Sequence, residues 1–323
     1  MRLRPRCRII IGVPIPDAIV IAGPTASGKT ALAIATAQAL DTEIVSADSM
    51  QFYRGLEIGS GQPATAELAR VKHNFVGSLD PSEVMSAGRF AEEARKVVRR
   101  LNLRGKSAVA VGGSGLYIRA LIDGLFSGPG RDEAVRARLA AEAEEVGVAE
   151  LFARLQDVDP SYASTIHDND LRRIVRALEG YEITGRPFSE LHETEAPGET
   201  LNAVQFALDW PRDQLYERIN RRVEVMLASG WIDETRRLLD EGRGPDLERL
   251  RPLGYPEIVA HVRGELDIET LTAAIQMQTR RLAKRQLSWF RGDERIHWIS
   301  VTEYPSAEAQ RDYVLDRIRL IMR

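Results

Sequence analysis

Three stretches of the chain combine residue types and spacings suited to chemistry on a phosphate compound. The first is GPTASGKT, Gly23 to Thr30, a full match to the pattern G-x-x-x-x-G-K-[ST]. A glycine-rich turn of this kind points consecutive backbone N–H groups at phosphate oxygens, at the positive end of the helix that follows. Gly23, Pro24, Thr25, Ala26, Ser27 and Gly28 are therefore candidate phosphate-binding residues. Lys29 adds a mobile positive charge for the outer phosphate, and Thr30 offers a hydroxyl to a magnesium ion. The motif alone does not say which phosphate compound binds. The second stretch is SADSMQFYRGLEIGSGQP, Ser46 to Pro63, in which Asp48 is a candidate proton acceptor or magnesium carboxylate, or a turn or helix-capping aspartate. The third is VGGSGLY, Val111 to Tyr117. Its Gly112 and Gly113 allow close approach of backbone to a ligand and Ser114 offers a hydroxyl, unless this is a plain strand-to-helix turn.

Such residues need a scaffold, and the pattern along the chain supplies one. Short apolar runs at Ile19 to Gly23, Glu43 to Asp48 and Ser107 to Gly113 predict strands. They alternate with helical periodicity at Lys29 to Leu40, around Phe90 to Leu103, and at Leu116 to Leu125. This alternation predicts an α/β fold, a doubly wound parallel sheet of the P-loop NTPase kind, with ligands bound at the carboxyl ends of the strands. All three motifs sit at such ends. From Ser127 to about Ala196 the alternation stops and charged helical periodicity takes over, which predicts a helical insertion domain over 127–196. The core is expected to comprise 18–126 and 197–323, with residues 1–17 a flexible leader. After a strand at Asn202 to Trp210, helices are expected over Pro211 to Ala228, Trp231 to Glu241 and Asp267 to Arg285, then a strand at Arg295 to Ser300 and a closing helix.

Composition narrows the function classes. With 323 residues, 44% hydrophobic and 28% charged, the chain is an ordinary globular protein rather than a disordered or low-complexity one. One cysteine, Cys7, excludes a disulfide framework and a cysteine-based zinc finger and suits a reducing, cytoplasmic setting. The five histidines, His73, His167, His192, His261 and His297, have no metal-ligand spacing. No run approaches the roughly 18 apolar residues of a membrane span. A net charge of −3 does not advertise a nucleic-acid partner, so any RNA site must be a local patch. Thr279 to Arg295 is such a patch, with six basic and two acidic residues around Trp289 and Phe290, although those rings equally suit a helix packed on a core.

Taken in order, the three motifs, the insertion segment HDNDLRRIVRALEGYEITGRP, the segment LRPLGYPE and the late run TRRLAKRQLSWFRG resemble the tRNA dimethylallyltransferase family (tRNA isopentenyltransferases) from about Ala18 onward. The resemblance implies transfer of a dimethylallyl group from dimethylallyl diphosphate to the exocyclic amine of the adenosine 3′-adjacent to the anticodon, in tRNAs reading codons that begin with U. It implies Asp48 as general base with Ser114 beside the reacting centre, and the phosphate loop with Thr30 and Mg2+ on the diphosphate, Arg222 being a second clamp. Asp48, Ser49, Met50, Gln51 and Ser114 would touch the target nucleotide. Arg136, the run Arg172, Arg173, Ile174, Val175 and Arg176, and the run Arg251, Pro252, Leu253, Gly254, Tyr255 and Pro256 would contact the anticodon stem-loop, whose adenosine is flipped into a channel. A monomer is expected, since one chain supplies every motif. Two departures stand out: Ser114 where the family usually has Thr, and Gly61-Gln62 where it commonly has Ala-Lys. A small-molecule kinase, an isopentenyltransferase of free adenine nucleotides and an RNA-binding nucleotide switch are the competing readings.

Overall fold

A computed structural model describes residues 15–125, 128, 130, 132–194 and 199–322. Most of the expected leader, residues 1–14, thus lies outside the described residues. The chain divides into two compact units, one formed by Met1–Ile122 with Leu201–Arg323 and the other by Asp123–Thr200.

The first unit begins with β1 (Ala18–Ala22), α1 (Lys29–Ala39), β2 (Ile44–Ser46), the short α2 (Thr65–Leu68), β3 (His73–Asn74), α3 (Ala87–Asn102), β4 (Ala108–Gly112) and α4 (Gly115–Asp123). The sheet is six-stranded and parallel in every pairing, in the order β3-β2-β4-β1-β5-β6, with β5 (Ala203–Asp209) and β6 (Ile296–Ser300) added by the later part of the chain. This is the doubly wound architecture that the alternation predicts. β1 is central, its Val20 level with Ala110 of β4 and Gln205 of β5, and all five of its residues are buried. Successive strand residues feed opposite faces, as the pleat requires. Ala18, Val20 and Ala22 pack with Phe90, Leu121, Trp231 and Phe290 on one side, while Ile19 and Ile21 pack with Leu32, Ile34 and Val314 on the other.

Two sequence expectations shift. β3 is a two-residue edge strand, too short to show any period, and was not foreseen. The late helix runs well past Arg285, to Arg291, because no helix breaker intervenes before Gly292.

The second unit holds α5 (Glu133–Val146), α6 (Val148–Val158), α7 (Pro160–Ala163), α8 (Leu171–Thr184) and α9 (Phe188–Thr194) around a small core of Leu139, Leu151, Leu155, Ile174, Leu178 and Phe188. Inside it the Glu179 carboxylate is fully buried and accepts from Arg136 Nε and Nη2 (both 2.9 Å), Arg176 Nη1 (2.8 Å) and the Asp132 backbone N–H (2.8 Å). Burial opposes its ionisation, but the two guanidiniums and the amide outweigh that and hold its pKa below the ordinary value. The first unit continues after β5 with α10 (Arg212–Ala228), α11 (Trp231–Asp240), α12 (Gly244–Leu250), α13 (Tyr255–Val262) and α14 (Ile268–Arg291), and after β6 with α15 (Ala307–Ile321).

Removing one partner of a buried ion pair leaves uncompensated charge, so Glu179→Ala is expected to destabilise the second unit by about 3 kcal/mol. Denaturant unfolding followed by a probe in that unit measures this, and an unchanged midpoint refutes it.

Candidate active site

The loop after β1 opens the site. Gly23, Ala26 and Gly28 take positive φ angles of 138°, 62° and 95°, a backbone course that costs little at glycine and more at Ala26. Three side chains from the later part of the chain hold this loop from outside. Arg218 Nε donates to the Ala26 carbonyl (2.9 Å) and Trp210 Nε1 to the Ser27 carbonyl (2.8 Å), with the Arg218 guanidinium stacked 4.3 Å from the Trp210 ring centroid. Gln286 accepts from the Thr25 N–H (2.9 Å) and donates to the Gly113 carbonyl (3.0 Å), joining the loop to the turn after β4. The hydroxyl of Ser27 is buried and has no hydrogen-bond partner among the described residues.

Beside the loop lies a cavity of about 430 Å³ whose lining includes Lys29, Thr30, Asp48, Gln51, Arg218 and Arg222. Lys29 Nζ donates to the Pro24 carbonyl (3.3 Å). Burial pushes its pKa down to about 8, Asp48 pulls it back up, and Arg222 lowers it further. Burial also lowers the pKa of Arg222, again opposed by Asp48. Four cations, Lys29, Arg218, Arg221 and Arg222, therefore converge on this cavity, an arrangement that suits a polyanion.

Asp48 follows β2 and lines the cavity, and its Oδ1 accepts the Met50 N–H (3.1 Å) in a local turn. Ser114 Oγ accepts from the Ser49 N–H (3.0 Å) and donates to Ser49 Oγ (3.3 Å), so the second and third motifs are joined directly. Met50 packs against the main core. Gln51 is more engaged than the sequence suggests. Its Oε1 accepts from Ser46 Oγ (2.9 Å) and its Nε2 donates to the Gly61 carbonyl (3.0 Å), so only part of its amide remains to meet a ligand. Arg222 Nη2 approaches the same carbonyl at 3.5 Å.

Among the residues expected to face a nucleic acid, burial separates surface from support. Arg172 and Arg173 are exposed, whereas Ile174 is fully buried, Val175 packs on the second unit's core, and Arg136 and Arg176 grip Glu179. Arg251 and Pro256 are exposed and Leu253 half-buried, but Pro252, Gly254 and Tyr255 are buried. Gly254 lies so close to Trp231 that a Cβ there would stand 2.3 Å from its ring. Ile174, Pro252, Gly254 and Tyr255 thus offer no side-chain surface for direct contact and hold their neighbours in place instead. On α14, Arg281, Lys284, Arg285 and Arg291 are exposed, Phe290 is core, and Trp289 is 44% exposed with its indole N–H edge against Gly115.

Arg218, Trp210 and Gln286 escaped the sequence reading. Only Arg218 carried a signal, lying four residues before Arg222 on one helical face. The other two act through bonds spanning more than 150 residues, which no local pattern reports.

Comparison with known proteins identifies the family. The family model described as IPP transferase matches residues 51–293. The chain is 44% identical over 295 residues to tRNA dimethylallyltransferase 1 of Pelobacter propionicus, covering 91% of this chain and 94% of that protein. It is 45% identical over 294 residues to tRNA dimethylallyltransferase of Anaeromyxobacter dehalogenans, covering 91% and 98%. Among solved structures, the tRNA isopentenylpyrophosphate transferase of Bacillus halodurans superposes with a TM-score of 0.67 at 34% identity, covering 94% of this chain and 96% of that one. The phosphate loop, the cavity carboxylate and the similarity over nine-tenths of the sequence converge: the chain belongs to the tRNA dimethylallyltransferase (IPP transferase) family.

Proposed function

We propose that this transferase moves the dimethylallyl group of dimethylallyl diphosphate onto the exocyclic amine (N6) of the adenosine 3′-adjacent to the anticodon, in tRNAs reading codons that begin with U, with release of diphosphate. The observation that carries the reading is one cavity lined by phosphate-loop residues, three arginines (Arg218, Arg221 and Arg222) and the carboxylates of Asp48 and Glu67. Its cations suit the leaving diphosphate, and the Asp48 carboxylate suits the proton that the amine must lose.

In the reaction the amine nitrogen forms a bond to the prenyl carbon while the carbon–oxygen bond to diphosphate breaks, and the amine proton passes to Asp48. Charge developing on the leaving group is stabilised by Lys29, Arg222 and the loop amides, held beforehand by Arg218, Trp210 and Gln286. Thr30 offers a hard oxygen ligand on this cavity and fits magnesium, which takes few protein ligands alongside substrate phosphates. Bound there, the ion would neutralise diphosphate charge. Arg172, Arg173, Arg251 and the exposed bases of α14 would grip the anticodon stem-loop, and the flipped adenosine would meet Ser49, Gln51 and Ser114. No described helix is long and apolar enough to cross a membrane. A monomer acting in the cytoplasm, where tRNA is found, fits this reading.

With radiolabelled dimethylallyl diphosphate and magnesium, label is expected in unmodified tRNA carrying an A-A-A run from the third anticodon base and not in AMP. Phosphoryl transfer from ATP in its place would favour a kinase. Asp48→Asn is expected to keep tRNA affinity and lose about 10²–10⁴-fold in turnover, and equal loss of both would make Asp48 structural. Replacing Arg172 and Arg173 with Ala should flatten the salt dependence of tRNA binding by about 0.7–0.9 log units per lost phosphate contact, an unchanged slope removing them from the interface.

The depressed pKa of Lys29 gives a pH dependence of definite sign. Below about 8 the ammonium is charged and attracts diphosphate; above it the free protein holds a neutral amine that must take up a proton to bind. Relative to Lys29→Met, the wild type should lose dimethylallyl diphosphate affinity between pH 7 and 9 in calorimetric titrations, and parallel curves would refute the assignment.

A further inference from the structure

Glu234, on α11, is 4% exposed, yet its carboxylate makes no ion pair with a cation among the described residues. Its oxygens accept three uncharged donors: the Ile58 N–H on Oε2 (2.7 Å), and the Gly59 N–H (3.0 Å) and Tyr255 hydroxyl (2.7 Å) on Oε1. A buried carboxylate loses its hydration, and here only these three donors offset that loss. Its value lies in what those donors belong to.

Ile58 and Gly59 form the underside of a tight turn closed by Gly61 N–H to Ile58 O (2.9 Å) and Gln62 N–H to Glu57 O (3.0 Å). The upper side of that turn is cavity wall, since Ser60 and Gly61 line it. The Gly61 carbonyl receives Gln51 Nε2 at 3.0 Å and Arg222 Nη2 at 3.5 Å. Gly59 is pressed against the same cluster, for a Cβ there would stand 2.2 Å from Trp231 Nε1 and 2.4 Å from the Tyr255 hydroxyl. Tyr255, in turn, belongs to the run whose Arg251 and Pro256 are exposed.

We infer that Glu234 is a positioning residue: its buried carboxylate fixes the 56–62 turn, and through the Gly61 carbonyl it places Gln51 and Arg222 in the cavity while tying the 251–256 segment to the same point. The two adjacent backbone N–H groups meet different oxygens of the carboxylate, Ile58 on Oε2 and Gly59 on Oε1. A glutamine presents one oxygen and one NH₂, so one turn amide would confront a donor and the turn must shift. An aspartate keeps the charge and both oxygens on a shorter arm.

The inference rests on the proposed prenyl transfer for its kinetic readout and has a second readout that does not. With enzyme held well below its unfolding temperature, Glu234→Gln is expected to lower kcat for tRNA prenylation by about 10- to 100-fold, the scale of an ångström-sized misplacement, with Glu234→Asp in between. Hydrogen exchange, measured by mass spectrometry on the peptide covering 56–62, should be faster in Glu234→Gln than in wild type while the phosphate-loop peptide stays protected. Wild-type kcat in both folded variants, with only a lowered melting temperature, would make Glu234 a stability residue and overturn the inference. So would unchanged exchange in the 56–62 peptide. A wild-type protein that transfers no label would overturn the proposed function instead, and the exchange experiment would still decide the role of Glu234. If Glu234→Gln does not fold, Glu234→Asp carries both measurements.

Discussion

The site depends on one backbone constraint. A loop that turns its N–H groups toward an anion turns its carbonyls the other way, and those carbonyls then need donors of their own. Here Arg218 and Trp210 supply them at Ala26 and Ser27, each bracing the other by stacking, and Gln286 anchors the entry to the loop at Thr25. A carbonyl left without a partner in this setting would cost about 1–3 kcal/mol, comparable to the strain of holding Ala26 at positive φ. The glycine-rich motif is thus held from behind by Trp210, which follows β5, and by Arg218 of α10 and Gln286 of α14.

The same clamp arranges the charges. A chain with a net charge of −3 gathers Lys29, Arg218 and Arg222 at one cavity, at the cost of partial desolvation that lowers the pKa of each. Asp48 offsets part of that repulsion in the free protein. A polyanionic substrate would take over the role, releasing the carboxylate to accept a proton. Holding like charges together before the substrate arrives means that little reorganisation is left for the reaction itself.

The departures from the family pattern acquire physical meaning in this setting. Gly61 adopts φ of 62°, and a Cβ there would stand 2.1 Å from Arg222 Nη2, so the glycine leaves the guanidinium room beside its carbonyl. Gln62 brings no charge to the cavity and instead donates to the Tyr53 carbonyl (2.8 Å), securing the turn. Ser114 keeps the hydroxyl, which accepts the Ser49 N–H and donates to Ser49 Oγ.

Much of this protein was legible in its sequence because the relevant forces are local. The short, continuously apolar runs of β1 and β4, both buried along their whole length, the helical stretches that alternate with them, and the glycine pattern of the phosphate loop are written in consecutive residues, and so the parallel sheet and the placing of three motifs at strand ends followed from them. The two-residue β3 and the division of Arg251 to Pro256 into surface and core were not legible, because each depends on what the rest of the chain packs against them. So did the partners of Gln51, the pairing of Arg136 and Arg176 on Glu179, and the reach of Glu234 to a turn more than 170 residues away. By itself the sequence determined which residues could do chemistry. Tertiary structure decided which of them face a substrate and which serve as supports, because burial and long-range hydrogen bonding are properties of the packed chain and not of any window along it.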